Sequence, residues 1–242
     1  MASLEVGDLK RKFGNRTVLD GITFAVDEGK VFGYIGRNGS GKTTTINILS
    51  TLIPPSGGSV RVCGYDVVRE PVEVRERIGV LFERFFIPQN STPLFYIFYY
   101  GWVAGLPEPV IIERTQALME TFGILKYADQ KFSELSEEVV RKAELCRTLI
   151  SYPRVLMLDE PTRGLDIIEK KKIWGFLKGV SLEEKVAIFL ASHDLQEINE
   201  LCDDVAVISE GKAVYCGVID EPRLENSSEE LEKSLTSLMG GG

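Results

Sequence analysis

The chain has 242 residues and a formal net charge of −8, because 36 acidic residues outnumber 28 lysines and arginines. Apolar residues make up 44% and charged residues 26%, a globular balance that excludes a disordered or collagen-like chain. The acidic balance disfavours nucleic acid as the main partner, because no overall positive field attracts phosphates. The four cysteines lie far apart and the chain has one histidine, so we expect neither a disulfide scaffold nor a structural zinc site.

The N-terminal residues carry a charge by position 5 and contain no apolar core, so we expect no signal peptide and a reducing, cytoplasmic location. Residues 85–107 are uncharged, but their apolar core, residues 94–106, has only 13 residues. A spanning helix needs about 20. We therefore expect no membrane span here.

The first third of the chain reads as strands and tight turns. Alternation over residues 22–26 and an apolar run over residues 31–35 predict two strands, the second of them buried. A glycine-rich loop follows, and then come a predicted helix over residues 42–52 and a short strand over residues 59–64.

Helical patterns replace strands between residues 84 and 152, and strands then return. The predicted helices cover residues 109–122, 137–150, 167–180 and 195–201. The returning strands cover residues 155–158, 186–191 and 205–209. Strand–helix alternation with a helical block inserted predicts an α/β core and one helical subdomain.

The glycine-rich loop, residues 36–43, reads GRNGSGKT and matches the pattern GxxxxGK[ST]; we call it the phosphate loop. Its glycines let backbone N–H groups turn toward phosphates, Lys42 supplies a cation for the β- and γ-phosphates, and the Thr43 hydroxyl can bind Mg²⁺. The predicted ATP-binding residues here are Gly36, Arg37, Asn38, Gly39, Ser40, Gly41, Lys42, Thr43 and Thr44.

The buried strand predicted at residues 155–158 ends in two acidic residues. Asp159 is predicted to reach the magnesium ion, and Glu160 to polarise an attacking water. The alternative for Glu160 is a structural one, in which it caps the following turn.

These motifs, in this order, resemble the nucleotide-binding subunits of ATP-binding cassette (ABC) transporters, over residues 4–217. Residues 161–166, PTRGLD, resemble the D-loop of that family, and residues 191–194, ASHD, resemble its switch-histidine segment. Residues 56–67 and 74–80 are most similar to ATPases of the ABC-2 export type, which include daunorubicin-resistance-type exporters.

The resemblance implies an α/β fold: a P-loop NTPase core of ABC ATPase type with an N-terminal antiparallel β subdomain and an inserted helical subdomain. It implies one domain over residues 1–237 and a flexible tail over residues 238–242. Within the domain, residues 1–83 and 153–220 would form the ATP-binding core, and residues 84–152 the helical subdomain.

The resemblance also implies roles for single residues. His193 would contact the γ-phosphate and form a catalytic set with Glu160 and Lys42, and Asp166 would lie at a dimer interface. Phe13 would stack on adenine, although packing is the alternative for one exposed aromatic ring. The implied cofactors are ATP and Mg²⁺.

The sequence departs from the family pattern in two places. Glu83 stands where the family has glutamine, and it joins Thr43 and Asp159 as a predicted metal ligand, although a carboxylate near phosphates also adds repulsion.

The second departure is in the family's LSGGQ signature, which reads LSEEV at residues 135–139. Ser136 remains as a helix N-cap and possible phosphate contact, but Glu137 and Glu138 add bulk and charge where a partner's phosphate would dock. Acidic residues in a first turn also favour the helix dipole. We hypothesise a heterodimer in which the partner subunit supplies an intact signature, with a homodimer left open.

The uncharged segment at residues 85–106 is predicted to dock a transmembrane permease subunit, because it holds eight aromatic residues. They are Phe85, Phe86, Phe95, Tyr96, Phe98, Tyr99, Tyr100 and Trp102. In the alternative they form the subdomain's own core.

The function implied is an ATP-hydrolysing subunit that powers export through that permease from the inner face of the membrane. A soluble ABC ATPase without a transport role and an ATP-sensing subunit with little turnover are the alternatives.

Overall fold

The computed structural model describes residues 2–84 and 86–218. Within these residues there are ten strands, seven α-helices and two 3₁₀ turns. The strands are β1 Ala2–Phe13, β2 Arg16–Asp27, β3 Val31–Gly36, β4 Gly57–Val62, β5 Tyr65–Asp66, β6 Ile78–Leu81, β7 Val155–Asp159, β8 Ala187–Ser192, β9 Asp204–Ser209 and β10 Lys212–Val218. The helices are α1 Lys42–Leu49, α2 Pro71–Arg75, α3 Pro93–Val103, α4 Glu108–Thr121, α5 Glu137–Leu149, α6 Ile167–Glu184 and α7 Leu195–Leu201, and the 3₁₀ turns are Leu125–Tyr127 and Phe132–Glu134.

The larger sheet has six strands in the order β10-β9-β3-β8-β7-β6. All neighbours pair in parallel except β9 with the edge strand β10. Every residue of β3, β7 and β8 is buried, as expected of parallel strands covered on both faces. The carboxyl ends of these three neighbouring strands meet at one edge of the sheet, where ligands bind in open α/β sheets.

The smaller sheet is antiparallel, in the order β2-β1-β4-β5, and lies against the larger one. Alternate residues of the second half of β2 are buried, as its sequence pattern predicts. Phe24 in β2 stacks on Phe32 in β3, with ring centroids 4.8 Å apart, and on Phe189 in β8, at 5.4 Å. These aromatic contacts join the two sheets into one core.

A helical block, α3 to α5, lies between β6 and β7 in the chain. Thr92 caps α3, because its hydroxyl accepts a hydrogen bond from the Phe95 N–H at 3.3 Å, and Pro93 occupies the first helical position. The α/β core, the antiparallel N-terminal sheet and the inserted helices confirm the predicted fold class.

Several element limits differ from the predictions. The helix predicted over residues 42–52 ends at Leu49, because Thr51 adopts a left-handed backbone with φ of 66°. The helix predicted over residues 167–180 continues to Glu184, and Lys185 ends it with φ of 58°. Strands β1 and β10 were not predicted, because charged residues interrupt the apolar alternation of β1, and most of the described residues of the edge strand β10 are exposed.

Parts of the predicted domain lie outside the described residues: Phe85 and residues 219–237, which include the last positions of the predicted core. The predicted tail at residues 238–242 lies outside them as well. In the described part of the chain, no helix combines the length and the apolar character needed to cross a membrane.

Candidate nucleotide site

The phosphate loop connects the buried strand β3 to helix α1, as its sequence predicts. A Cβ atom added at Gly36 would lie 2.3 Å from Ser40 Oγ and 2.6 Å from the Ile208 carbonyl oxygen, so only glycine fits there. Gly41, immediately before α1, has φ of 111°, a conformation that glycine adopts without strain. The loop therefore depends on its glycines both for close packing and for its turn.

Lys42 folds back over the phosphate loop. Its buried ammonium donates hydrogen bonds to the carbonyl oxygens of Gly36 at 2.6 Å and Arg37 at 3.5 Å, and it lies 4.0 Å from Glu160 Oε1. Ser40 Oγ is buried and has no hydrogen-bond partner within the described residues. Such a hydroxyl costs about 1–3 kcal/mol, which a phosphate oxygen would recover, so the loop fits ATP.

The other predicted loop residues are more open. Arg37, Asn38, Gly39 and Thr43 are exposed, and Thr44 is half-buried. The loop thus presents an accessible outer edge and a buried lysine beneath it.

Thr43 and Asp159 come together across the sheet edge, because α1 begins beside the end of β7. The Thr43 hydroxyl donates to Asp159 Oδ2 at 2.8 Å. Burial raises the pKa of Asp159 to about 6, against the effect of the Thr43 hydrogen bond. A hydroxyl and a desolvated carboxylate in contact are oxygen ligands of the kind Mg²⁺ prefers, so this pair fits the predicted metal.

Glu160 follows β7 in a left-handed conformation with φ of 52°, which is costly for a residue with a side chain. Its N–H donates to the Ala191 carbonyl oxygen at 2.9 Å, and its buried Oε1 lies 2.7 Å from His193 Nδ1. The following turn is closed by the backbone carbonyl oxygen of Glu160, which accepts from the Arg163 N–H at 3.2 Å. The side chain is therefore directed at His193 and Lys42 rather than at the turn.

Glu83 forms an ion pair with Arg163, which belongs to the loop after β7. The Glu83 carbonyl oxygen also accepts a hydrogen bond from Arg141 of α5 at 3.2 Å. Arg163 was not singled out from the sequence, although an arginine within the D-loop segment was the available signal. The predicted metal role of Glu83 stays a prediction, and its charge has a partner inside the chain.

The two glutamates of the signature segment have different surroundings. Ser136 caps α5, because its hydroxyl accepts from the Val139 N–H at 3.4 Å. Glu138 pairs with the buried Lys142 at 2.7 Å, and Lys142 also pairs with Glu169 in α6. Glu137 is exposed and lines a cavity of about 690 Å³. The charge of Glu138 is therefore compensated by a lysine, a difference between the two glutamates that the sequence alone does not show.

Asp166 and Phe13 lie at the surface. Asp166 caps α6, where its Oδ1 accepts from the N–H groups of Ile168 and Glu169, both at 2.9 Å. The Phe13 ring, 48% exposed, lies 4.4 Å below the Arg11 guanidinium. Their predicted roles, at a dimer interface and against adenine, stay predictions.

Helix α3 places most of its aromatic rings at the surface. The exposed rings of the helix are Phe95, Tyr99, Tyr100 and Trp102, and Phe86, in the segment before the helix, is exposed as well. We call these five residues together the α3 aromatic surface. Tyr96 is buried and Phe98 half-buried. The aromatic segment therefore divides between the subdomain core and an apolar surface, as expected if part of it contacts a partner.

Comparison with known proteins agrees with this geometry. Residues 19–163 match the family model described as "ABC transporter". The chain belongs to the ABC transporter ATP-binding family. It is 33% identical over 217 residues to "ABC transporter ATP-binding protein NatA" of Bacillus subtilis, covering 87% of this chain and 85% of that one. It is 30% identical to the "Daunorubicin resistance ATP-binding protein DrrA3" of Streptomyces coeruleorubidus, covering 95% of this chain and 72% of that one.

Solved structures show the same ABC fold. A structure titled "Structure of ATP binding subunit of ABC transporter" superposes with a TM-score of 0.87 at 25% identity, over 96% of this ABC chain and 99% of that one. A dimeric ATP-binding cassette, MJ0796, described in a post-hydrolysis state bound to ADP and Pi, superposes with a TM-score of 0.83 at 20% identity, which shows the fold alone. The predicted resemblance to ABC ATP-binding subunits, including the daunorubicin-resistance type, is confirmed.

Proposed function

We propose that this ABC ATP-binding subunit hydrolyses magnesium-bound ATP and uses ATP-driven dimer closure to power export through a separate membrane permease. The observation that carries the proposal is the cluster of Glu160, His193 and Lys42 at the carboxyl edge of the parallel sheet. Glu160 Oε1 lies 2.7 Å from His193 Nδ1 and 4.0 Å from Lys42 Nζ.

The phosphate loop and Lys42 would bind the ATP phosphates, and Thr43, Asp159 and Glu83 would hold the magnesium ion. The ion would neutralise charge on the phosphate oxygens. Glu160 would accept a proton as water attacks the γ-phosphorus in line, and the bond from the γ-phosphorus to the ADP oxygen breaks. His193 would hold the Glu160 carboxylate toward that water, and Phe13 would stack on adenine.

The first test is the ATPase rate against protein concentration, for the parent chain and for Glu160→Gln. We expect a rate that rises faster than linearly, because two subunits form each site, and a loss of about 10²–10⁴-fold in the variant with ATP binding retained. Glu184→Gln, an exposed glutamate at the end of α6, is the matched control. Equal ATPase rates for Glu160→Gln and the control would contradict the proposal. ATP binding without turnover in the parent chain would favour the ATP-sensing alternative, or a requirement for a partner's signature.

A heterodimer is the second part of the proposal. Because Glu138 is paired with Lys142, the exposed Glu137 is the charge that would oppose a partner's γ-phosphate. Glu137→Gly should therefore raise the ATPase rate of the isolated chain, with Glu134→Gly, an exposed glutamate just before the signature segment, as the control. A homodimer of the parent chain with full activity at both sites would contradict the heterodimer.

The α3 aromatic surface supports docking of the permease over residues 85–106, and with it a peripheral location at the inner face of the membrane. Phe95 and Trp102 are 63% and 65% exposed, which is unusual for large aromatic residues away from interfaces. Trp102→Ser should reduce the fraction recovered with membranes of the source cells, and Leu52→Ser, at another exposed apolar residue, should not. Recovery of the parent in the soluble fraction alone would favour a soluble ABC ATPase.

A further inference from the structure

Glu197, in the first turn of α7, is a buried acidic residue outside the predicted catalytic set. Its side chain is 1% exposed, and its Oε1 accepts hydrogen bonds from the Thr162 hydroxyl at 2.7 Å and the Trp174 indole N–H at 3.1 Å. The Ser192 hydroxyl also bonds to its carboxylate. A buried carboxylate is stable only when such donors replace its lost water, so these three contacts define its environment.

Two of the three donors lie close to Glu160 and His193 in the chain, one in the loop after β7 and one at the end of β8. Thr162 is two residues after Glu160, and Ser192 immediately precedes His193. The Ser192 hydroxyl also accepts from the Asp194 N–H at 3.0 Å, so it fixes the backbone on both sides of His193. Through one carboxylate, the loop after β7 and the end of β8 are therefore joined.

The third donor anchors this junction to the core. Trp174 in α6 is 3% exposed and packs among the buried apolar residues of the core, so the position of its indole ring is fixed by packing. The two loops are thus held to a helix rather than only to each other.

The direct pairing of β7 with β8 ends before Glu160 and His193, although Ser192 still pairs with Ile35 of β3. The last paired residues of β7 and β8 are Asp159 and Ala191, and the Glu160 N–H bond to Ala191 is the final backbone contact between the two loops. Glu160 also has the left-handed φ of 52°, which persists only where surrounding contacts hold it. Beyond these backbone contacts, side-chain contacts contribute to the separation of Glu160 and His193.

We propose that Glu197 is a positioning residue that holds the Glu160 carboxylate and the His193 ring in contact, by binding Thr162 and Ser192 together. The proposal rests on the proposed function for the roles of Glu160 and His193. It adds a buried residue that acts through Thr162 and Ser192 and sets the geometry of both groups. A displacement of about 1 Å in such groups costs about 10²-fold in rate.

The test compares Thr162→Val with Trp174→Phe, because each removes one donor to the same Glu197 oxygen. We expect Thr162→Val to lower kcat by about 10-fold or more with KM for ATP within about twofold, since the phosphate loop is untouched. Trp174→Phe removes the donor on α6 and leaves the Thr162 and Ser192 hydroxyls in place, so the kcat of this variant should stay within about twofold of the parent value.

A second readout does not depend on turnover. The chain contains one histidine, so the ring signals of His193 can be assigned without ambiguity in an NMR spectrum. Thr162→Val should displace those signals at constant pH, and Trp174→Phe should leave them in place. If Thr162→Val fails to fold, Ser192→Ala removes the donor at the end of β8 and carries the same expectation.

The proposal would be overturned if kcat changed equally in Thr162→Val and Trp174→Phe. It would also be overturned if the His193 signals did not move in either Thr162→Val or Ser192→Ala. In both cases Glu197 would be a purely structural residue. If the parent shows no ATPase activity, the proposed function fails in the isolated chain, and the histidine signals alone decide the positioning role.

Discussion

Removal of the Tyr96 hydroxyl should measurably loosen the helical block. Tyr96 in α3 donates to the carboxylate of Glu144 in α5, and the two side chains are 6% and 1% exposed. Burial and the Glu144 charge raise the pKa of the tyrosine, so its hydroxyl stays protonated and remains a donor. Arg147 pairs with the other Glu144 oxygen at 3.1 Å and donates to the Val80 carbonyl oxygen at 2.7 Å. The hydroxyl therefore joins α3 to a buried ion pair that also holds β6.

Tyr96→Phe keeps the ring and deletes this donor. A hydrogen bond to a charged group contributes about 1.5–3 kcal/mol, so we expect the free energy of unfolding to fall by about 2 kcal/mol. For a chain of this size that corresponds to a drop of about 4–8 °C in Tm. The matched control is Tyr99→Phe, whose ring is 46% exposed and whose loss should be within about 0.5 kcal/mol.

Urea unfolding of Tyr96→Phe, Glu144→Ala and the double variant measures the pair directly. Since both single changes break the same contact, the double variant should lose about 1–2 kcal/mol less than the sum of the two. Strictly additive losses, or a Tyr96→Phe midpoint equal to that of Tyr99→Phe, would refute the reasoning.

Three further predictions concern the nucleotide site and its surroundings. Gly36→Ala should abolish binding of a fluorescent ATP analogue, because the added Cβ atom would lie 2.3 Å from Ser40 Oγ. The control is Gly179→Ala in α6, where the added Cβ atom has open space around it, and this variant should bind the analogue as the parent does. Lys42→Met should weaken ATP binding in the same titration by about 10-fold or more, since a cation that contacts phosphates is worth at least about 1.4 kcal/mol, and unchanged binding would be inconsistent with the site. Hydrogen bonds from Lys142, and to a lesser extent from Lys172, lower the pKa of Glu169 below its usual value of 4.5. The ionised Glu169 carboxylate therefore stabilises the fold above pH 4.5, and this contribution is lost as the pH falls through the lowered pKa. Glu169→Gln should therefore lower Tm at pH 7, with the difference from the parent shrinking in thermal melts toward pH 3, and a difference independent of pH would contradict this.

The acidic departures from the family pattern are partly compensated by basic residues nearby in space. Glu83 pairs with Arg163, and Glu138 pairs with Lys142, which itself bridges to Glu169 at the start of α6. The repulsion expected from a carboxylate in the place of glutamine is therefore reduced before any nucleotide binds. In the signature segment, the same reasoning leaves Glu137 as the residue on which the heterodimer hypothesis depends.

Much of the nucleotide site could be predicted from the sequence because its parts are contiguous. The phosphate loop, its preceding strand and its following helix occupy one short stretch, and a single apolar run leads to Asp159 and Glu160. Apolar runs also indicated the buried strands β3, β7 and β8, because parallel strands covered on both faces need apolar side chains throughout. Local pattern therefore indicated the residues of the candidate site and the α/β class of the fold.

Only the tertiary structure decided which distant residues meet. Glu83 and Arg163 are 80 residues apart and Thr162 and Glu197 are 35 apart, yet each pair is in contact. The strand order brings the loops after β6, β7 and β8 to one edge, and periodicity along the chain does not encode that order. The division of the α3 rings between core and surface follows from the same cause, because each ring's exposure depends on where α4 and α5 pack against α3.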